Sequence, residues 1–252
     1  MLTKCKESDA LSAGEQTIYR SAVGKAMFLM QYSRAEIYNS VRDCARHMQM
    51  AARKHMIAIG RVMKYCVDRP NRGLVLKPNE KWDGSPDFEF TIGGRSDSDY
   101  GKDPQTQRSV SGGRVLLCGA PVTFRSSTQK TVALSVMEAE LYAAVLCVQD
   151  MIYVQNVLLS IGLKVKLSMI LECNNQGPVD PANSWSVGGR THDIDVRQCF
   201  LRELKEAGVL HMKWISGKEN DSDMLTKNLD GPLFEKFASV YVGKDEYTPD
   251  SE

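Results

Sequence analysis

The residues whose type and spacing could do chemistry in this 252-residue chain are acidic, and they recur beside short apolar runs. Asp97 stands in Arg95-Ser96-Asp97-Ser98-Asp99, just after a strand-like run at 88–92. Glu140 follows Met137-Glu138-Ala139, one turn into a long helical pattern. Asp223 opens a last helix in Asn220-Asp221-Ser222-Asp223-Met224-Leu225-Thr226-Lys227. A fourth position ends the run 167–173, in Glu172-Cys173-Asn174-Asn175-Gln176. Carboxylates gathered from strand ends and helix starts around one sheet can hold hard cations such as Mg²⁺, which take oxygen ligands and keep several waters. Two such ions about 3.5–4 Å apart suit in-line hydrolysis of a phosphodiester, one activating water and the other stabilising the leaving oxygen.

The elements that must position these groups follow from the pattern of apolar and turn residues. Runs at 88–92, 113–118 and 121–124, separated by turn residues, predict an antiparallel meander. A helix is predicted over 135–160 and is stopped by Gly162. A strand follows at 167–173, then an amphipathic helix over 195–207 ended by Gly208, a fifth strand at 209–215 and a helix starting at Asp223. A meander followed by alternating units implies a mixed sheet with helices on its faces. Upstream, 19–66 has apolar residues three and four apart and no proline before Pro70, which predicts two or three helices. The chain is therefore read as a polar leader (1–18), a helical segment (19–76), a linker rich in proline and polar residues (77–87), an α/β domain (88–242) and a polar tail (243–252).

Composition narrows the function classes. With 42% hydrophobic and 25% charged residues, the chain is neither collagen-like, nor a coiled coil, nor largely disordered. Its formal net charge of +1 hides an asymmetry, because residues 1–80 carry +7 and residues 81–252 carry −6. Arg42, Arg46, Arg53, Lys54, Arg61, Lys64, Arg69 and Arg72 face only Asp43 and Asp68 in their stretch, and such a face can contact phosphates. The seven cysteines are scattered with no C-x-x-C pair, so neither a disulfide framework nor a zinc site is indicated. No apolar run approaches the roughly 20 residues that span a bilayer, and no signal peptide is visible. The expectation is a soluble, intracellular protein without a membrane partner.

Six segments in order carry a resemblance: Tyr19-Arg20-Ser21-Ala22-Val23-Gly24, Ser96-Asp97-Ser98-Asp99-Tyr100-Gly101, Arg108-Ser109-Val110-Ser111-Gly112, Thr131-Val132-Ala133-Leu134-Ser135, Glu138-Ala139-Glu140 and Asp223-Met224-Leu225-Thr226-Lys227. From Tyr19 to Gly243 the sequence resembles the C-terminal part of the Pol polyprotein of copia-type LTR retrotransposons, the end of the reverse transcriptase followed by its ribonuclease H domain. The resemblance implies an RNase H-like α/β fold: a five-stranded mixed sheet of order 3-2-1-4-5 flanked by helices, preceded by a small helical thumb or connection segment. It implies endonucleolytic cutting of the RNA strand of an RNA/DNA hybrid with two Mg²⁺ ions, Mn²⁺ being the alternative. Carried over by motif, Asp97, Glu140 and Asp223 are the metal-binding carboxylates.

The fourth position departs from the family. Members end the fourth strand with Asp-Asn, whereas this chain has Asn174-Asn175. Asn174 keeps the size and one carbonyl oxygen but loses the charge on which bridging two divalent ions depends, so weakened metal binding and a large loss of rate are expected. Glu172 lies about 6.5 Å back along the strand, too far to substitute. Natural decay and a deliberate substitution fit Asn174 equally, and a hybrid-binding remnant without activity is the alternative reading. Pro178 and Pro181 interrupt the helix expected after the fourth strand, and His192 is shifted by one residue from the family histidine. The thumb resemblance gives the basic face a use, with Arg53, Lys54, Arg61 and Lys64 as phosphate contacts. The Tyr-x-Asp-Asp motif is missing, so no polymerase activity is expected, and the upstream palm and fingers become implied partners. The family places such a protein in the cytoplasm, within a virus-like particle, or in the nucleus.

Overall fold

Gly93 and Gly94, just beyond the strand-like run at 88–92, lie inside the central strand of the sheet. The structure is a computed structural model that describes residues 2–175 and 192–243, with side chains of 192–195 excepted, so Pro178, Pro181 and the His192 side chain fall outside the described residues. The chain divides into two compact units: Met1–Val75 with the segment from Asn228 onward, and Leu76–Lys227.

In the second unit, β1 (Glu89–Phe90) pairs in parallel with β5 (Lys164–Val165) as a separate two-stranded sheet. The main sheet holds β2 (Ile92–Asp99), β3 (Val110–Leu117), β4 (Ala120–Thr128), β6 (Met169–Cys173) and β7 (Leu210–Trp214) in the spatial order β4-β3-β2-β6-β7. β2, β3 and β4 are antiparallel, and β6 and β7 run parallel to β2. Counting only these five strands, the order is 3-2-1-4-5, the RNase H-like topology. The expected first strand at 88–92 is thus corrected: that run holds the whole of the short β1 and only the first residue of the sheet's first strand, which starts at Ile92. The physical reason lies in α4 (Val136–Ser160), which packs so closely on β2 that a Cβ at Gly94 would meet Met151 Sδ at 2.6 Å and Cys147 Sγ at 3.0 Å. The helix fills the space that apolar strand side chains would otherwise occupy, so β2 carries little apolar pattern to read.

Ser135 caps α4 by accepting a hydrogen bond from the Glu138 amide at 3.1 Å, which puts the helix start where the sequence placed it. Cys118 and Gly119 both have positive φ, 48° and 85°, and make the two-residue hairpin between β3 and β4. Leu141, Cys147, Val148 and Met151 of α4 form the core with Leu171, Leu210 and Met212 of the sheet and Leu201 of α5 (His192–Glu206). By length and composition α4 is apolar enough to cross a membrane, which the sequence reading did not foresee; its buried face packs on the sheet as a core helix does. The predicted last helix is only the short α6 (Asp223–Thr226).

The first unit holds α1 (Ala13–Tyr32), α2 (Tyr38–Ala45), α3 (Arg53–Asp68) and α7 (Gly231–Tyr241). Residues 13–18, assigned to a leader, are helical because Ser12 and Glu15 form a capping box. Tyr19, Val23, Ala26, Val41, Cys44 and Ile59 make its core, and the Tyr19 hydroxyl donates to the Cys44 carbonyl at 2.7 Å. The segment from Asn228 belongs here, not with the sheet as the 88–242 boundary had it. A bridge pairs Leu74 with Val242, and Arg72 binds Glu235 at 2.8 Å.

Candidate active site

The four expected positions meet at one end of the main sheet. Asp97 lies inside β2, opposite Gly112 of β3, and is fully buried. Glu140, on the buried face of α4, is 5% exposed, and its Oε2 has no hydrogen-bond partner. Glu138 instead caps the helix, accepting the Leu134 amide at 2.7 Å, so the two glutamates of Glu138-Ala139-Glu140 divide into a structural and a candidate functional group. Asn174 follows β6, and its Nδ2 lies 3.4 Å from Asp97 Oδ1 as a donor while its own Oδ1 is buried without a partner. Asp223 starts α6.

Lys227 is the group that sequence reasoning missed. Its Nζ binds Asp97 Oδ1 at 3.2 Å and Asp223 Oδ1 at 2.9 Å, so one ammonium links two of the candidate ligands. The signal was present, since Lys227 sits four residues after Asp223, a spacing that brings side chains together on a helix. The Thr226 hydroxyl also donates to Asp97 Oδ2. Burial pulls the Lys227 ammonium pKa down, but the charges of Asp97 and Asp223 outweigh it and hold the pKa above its usual value.

Electrostatics mark the pair Asp97 and Glu140. Burial pushes both carboxyl pKa values up, and each is raised further by a neighbouring carboxylate, Asp223 for Asp97 and Asp97 for Glu140. A carboxyl that binds its proton more tightly folded than unfolded stabilises the fold fully at low pH and loses that contribution as pH rises through its folded value, about 7 for Asp97 and about 8 for Glu140. The melting temperature is therefore expected to fall between about pH 5 and pH 9, and to fall less steeply in Asp97→Asn, as followed by circular dichroism.

Gly112 lets α6 reach Asp97. A Cβ there would lie 2.6 Å from Thr226 Cγ2, 3.1 Å from Leu225 Cβ and 3.2 Å from the Ser222 carbonyl oxygen. Gly112→Ala is expected to cost about 1–3 kcal/mol by overpacking, measured by urea unfolding.

The donors suit a hard cation in kind, being carboxylates and an amide oxygen. As they stand they do not complete a site, because the charge at position 174 is missing and Lys227 holds one oxygen each of Asp97 and Asp223. Among the described residues, no three Asp, Glu, His or Cys side chains group closely enough to hold an ion. Glu172 is turned elsewhere, paired with Arg95 at 2.7 Å and Lys213 at 3.2 Å.

The basic candidates divide. Arg53, Lys54, Arg61 and Lys64 are exposed along α3, with Arg53 3.6 Å from Glu15, Lys54 Nζ 2.5 Å from Thr3 Oγ1 and Lys64 2.6 Å from Asp68. Arg72, by contrast, is buried against Glu235 and the Tyr65 hydroxyl, a structural role that its place in the basic run did not suggest.

No family model matches the chain. Over 217 residues it is 31% identical to the retrovirus-related Pol polyprotein from transposon TNT 1-94 of Nicotiana tabacum, covering 86% of this chain and 16% of that protein. The chain is similar to a part of the retrovirus-related Pol polyproteins of transposons. It spans about a sixth of the length of this relative. The Pol-related chain is also 31% identical over 141 residues to Secreted RxLR effector protein 161 of Plasmopara viticola, covering 54% of this chain and 89% of that protein. Among solved structures, LC11-RNase H1 in complex with an RNA/DNA hybrid is 13% identical, with a TM-score of 0.40 over 52% of this chain and 88% of that one.

Proposed function

We propose that the unit Leu76–Lys227 is a ribonuclease H domain that recognises RNA/DNA hybrids and whose hydrolysis of the RNA strand is impaired in this chain by Asn174. The observation that carries the reading is the meeting of Asp97, Glu140, Asp223 and position 174 at one end of a 3-2-1-4-5 sheet. Similarity to Pol polyproteins of transposons over 86–89% of the chain supports it. In an intact site of this kind, Mg²⁺ or Mn²⁺ supplies water activation and stabilisation of the leaving oxygen. With a carboxylate restored at position 174, Asp97, Glu140 and Asp223 are the residues that would hold such an ion. In this chain the Asn174 amide and the Lys227 ammonium both bind Asp97 Oδ1, so the oxygen nearest position 174 is already engaged. That engagement favours a second reading, in which the domain holds the hybrid by its A-like shape and 2′-hydroxyls without cutting it. The upstream palm and fingers remain the partners this reading implies.

The exposed basic face of α3 is assigned to phosphate contacts through Arg53, Lys54, Arg61 and Lys64. A gel shift of the chain with an RNA/DNA hybrid at several salt concentrations tests both assignments. Retardation at low salt is expected, with hydrolysis near background in Mg²⁺. Replacing the four basic residues by alanine should weaken binding and lower the salt slope by about one per lost contact. Absence of any shift at low salt would contradict hybrid recognition, and an unchanged slope would remove the α3 assignment.

A further inference from the structure

Resting on the ribonuclease H reading for its catalytic arm, we infer that Asp221 is a positioning residue: held by Arg114 and Arg95, it fixes the loop that presents Asp223 to Asp97. Asp221 is 1% exposed and Arg114 is 3% exposed. Arg114 grips the carboxylate with two bonds, Nε to Oδ1 at 2.5 Å and Nη2 to Oδ2 at 2.7 Å. Arg95 Nη1 adds a third contact at 2.9 Å to Asp221 Oδ2 and a fourth at 2.7 Å to the Glu219 carbonyl. On the neighbouring residue, Asn220 Nδ2 donates to the Ser96 carbonyl at 3.0 Å, and the Ser222 hydroxyl donates to Asn220 Oδ1 at 2.5 Å.

The anchors lie where the site needs them. Arg95 and Ser96 immediately precede Asp97 on β2, and Arg114 is paired with Arg95 across β3. The strand that carries one candidate ligand therefore also holds the loop that carries another. The Asp221 carbonyl then accepts the Met224 amide at 3.2 Å, so the anchored residue begins the turn of α6. A four-residue helix after an irregular loop cannot fix its own position, because its few internal bonds scarcely offset the cost of nucleation. A buried ion pair is a costly way to gain stability alone, since apolar residues of similar volume often do as well. Its bidentate geometry does what apolar packing does not, which is to set the orientation as well as the depth of the loop.

The test compares Arg114→Met/Asp221→Leu with its parent, both in the Asn174→Asp background and in the chain as it stands. Removing both charges together avoids an uncompensated buried ion. In the Asn174→Asp background, kcat on an RNA/DNA hybrid is expected to fall about 10–100-fold with KM for the hybrid unchanged, a split that general loosening of the fold would not give. In the chain as it stands, amide exchange at 223–227 is expected to quicken at least about tenfold while β6 amides keep their protection. If the Asn174→Asp parent cuts no hybrid, the nuclease reading fails and the exchange arm alone decides the positioning role. Should the double variant not fold, Arg95→Met, from a partly exposed side chain, carries both arms. Unchanged kcat together with unchanged exchange at 223–227 would overturn the inference, as would unchanged exchange alone where the parent is inactive.

Discussion

Asn174→Asp is expected to raise Mg²⁺-dependent hydrolysis of an RNA/DNA hybrid by at least about 100-fold over the chain as it stands. Loss of residues that merely orient metal ligands costs 10–100-fold, and a charged group at the centre of the ligand set should weigh more. The geometry gives the reason. Asn174 Nδ2 now donates to Asp97 Oδ1 at 3.4 Å, satisfying a carboxylate that is fully buried. An aspartate at 174 would set a second carboxylate against that oxygen, in a place where burial and repulsion already disfavour negative charge. Two acids so placed with Glu140 nearby call for a divalent cation, and Lys227, a single charge, cannot neutralise all of them. Isothermal titration with Mn²⁺ should therefore show tighter binding in Asn174→Asp than in its parent. Equal affinities and equal rates would contradict the role given to position 174.

Arg34→Met is expected to destabilise the first unit by about 3–5 kcal/mol, because it leaves a buried carboxylate without its partner. Arg34 Nε binds Glu36 Oε1 at 2.6 Å, the two residues are 5% and 3% exposed, and Glu36 Oε2 has no other partner. Arg34 Nη1 also donates to the Arg69 carbonyl at 3.1 Å, tying the end of α1 to the end of α3. The double variant Arg34→Met/Glu36→Leu should recover most of the loss, since it removes both charges. Urea unfolding of the three variants measures this; a loss below about 1 kcal/mol for Arg34→Met would show that water reaches Glu36.

How much was legible in the sequence depended on how local the cause was. The α4 start was readable because its cap and first turn are contiguous, and β6 and β7 were readable because each sets alternate apolar residues on one buried face. The ends of α1 and β2 were misread for different reasons. Ser12-Ala13-Gly14-Glu15 is a capping signal that was overlooked, whereas Gly93-Gly94 lies just beyond the strand-like run at 88–92, with Met151 and Cys147 packed against it. The placement of α7 rests on Leu74 with Val242 and Arg72 with Glu235, contacts more than 160 residues apart that no local pattern encodes. At the site, the acidic residues were found by type and motif. Lys227 and the close approach that Gly112 permits are properties of the assembled sheet end.

The central claim is that this sheet end is a ribonuclease H site lacking one charge. Its most direct test is the fate of each strand of an RNA/DNA hybrid, end-labelled on RNA or on DNA, incubated in Mg²⁺ with Asn174→Asp and with Asn174→Asp/Asp97→Asn. Internal cuts in the RNA strand alone, made by the single variant and abolished in the double, are the predicted result. An intact RNA strand with a folded Asn174→Asp variant, or cleavage that survives Asp97→Asn, would contradict it.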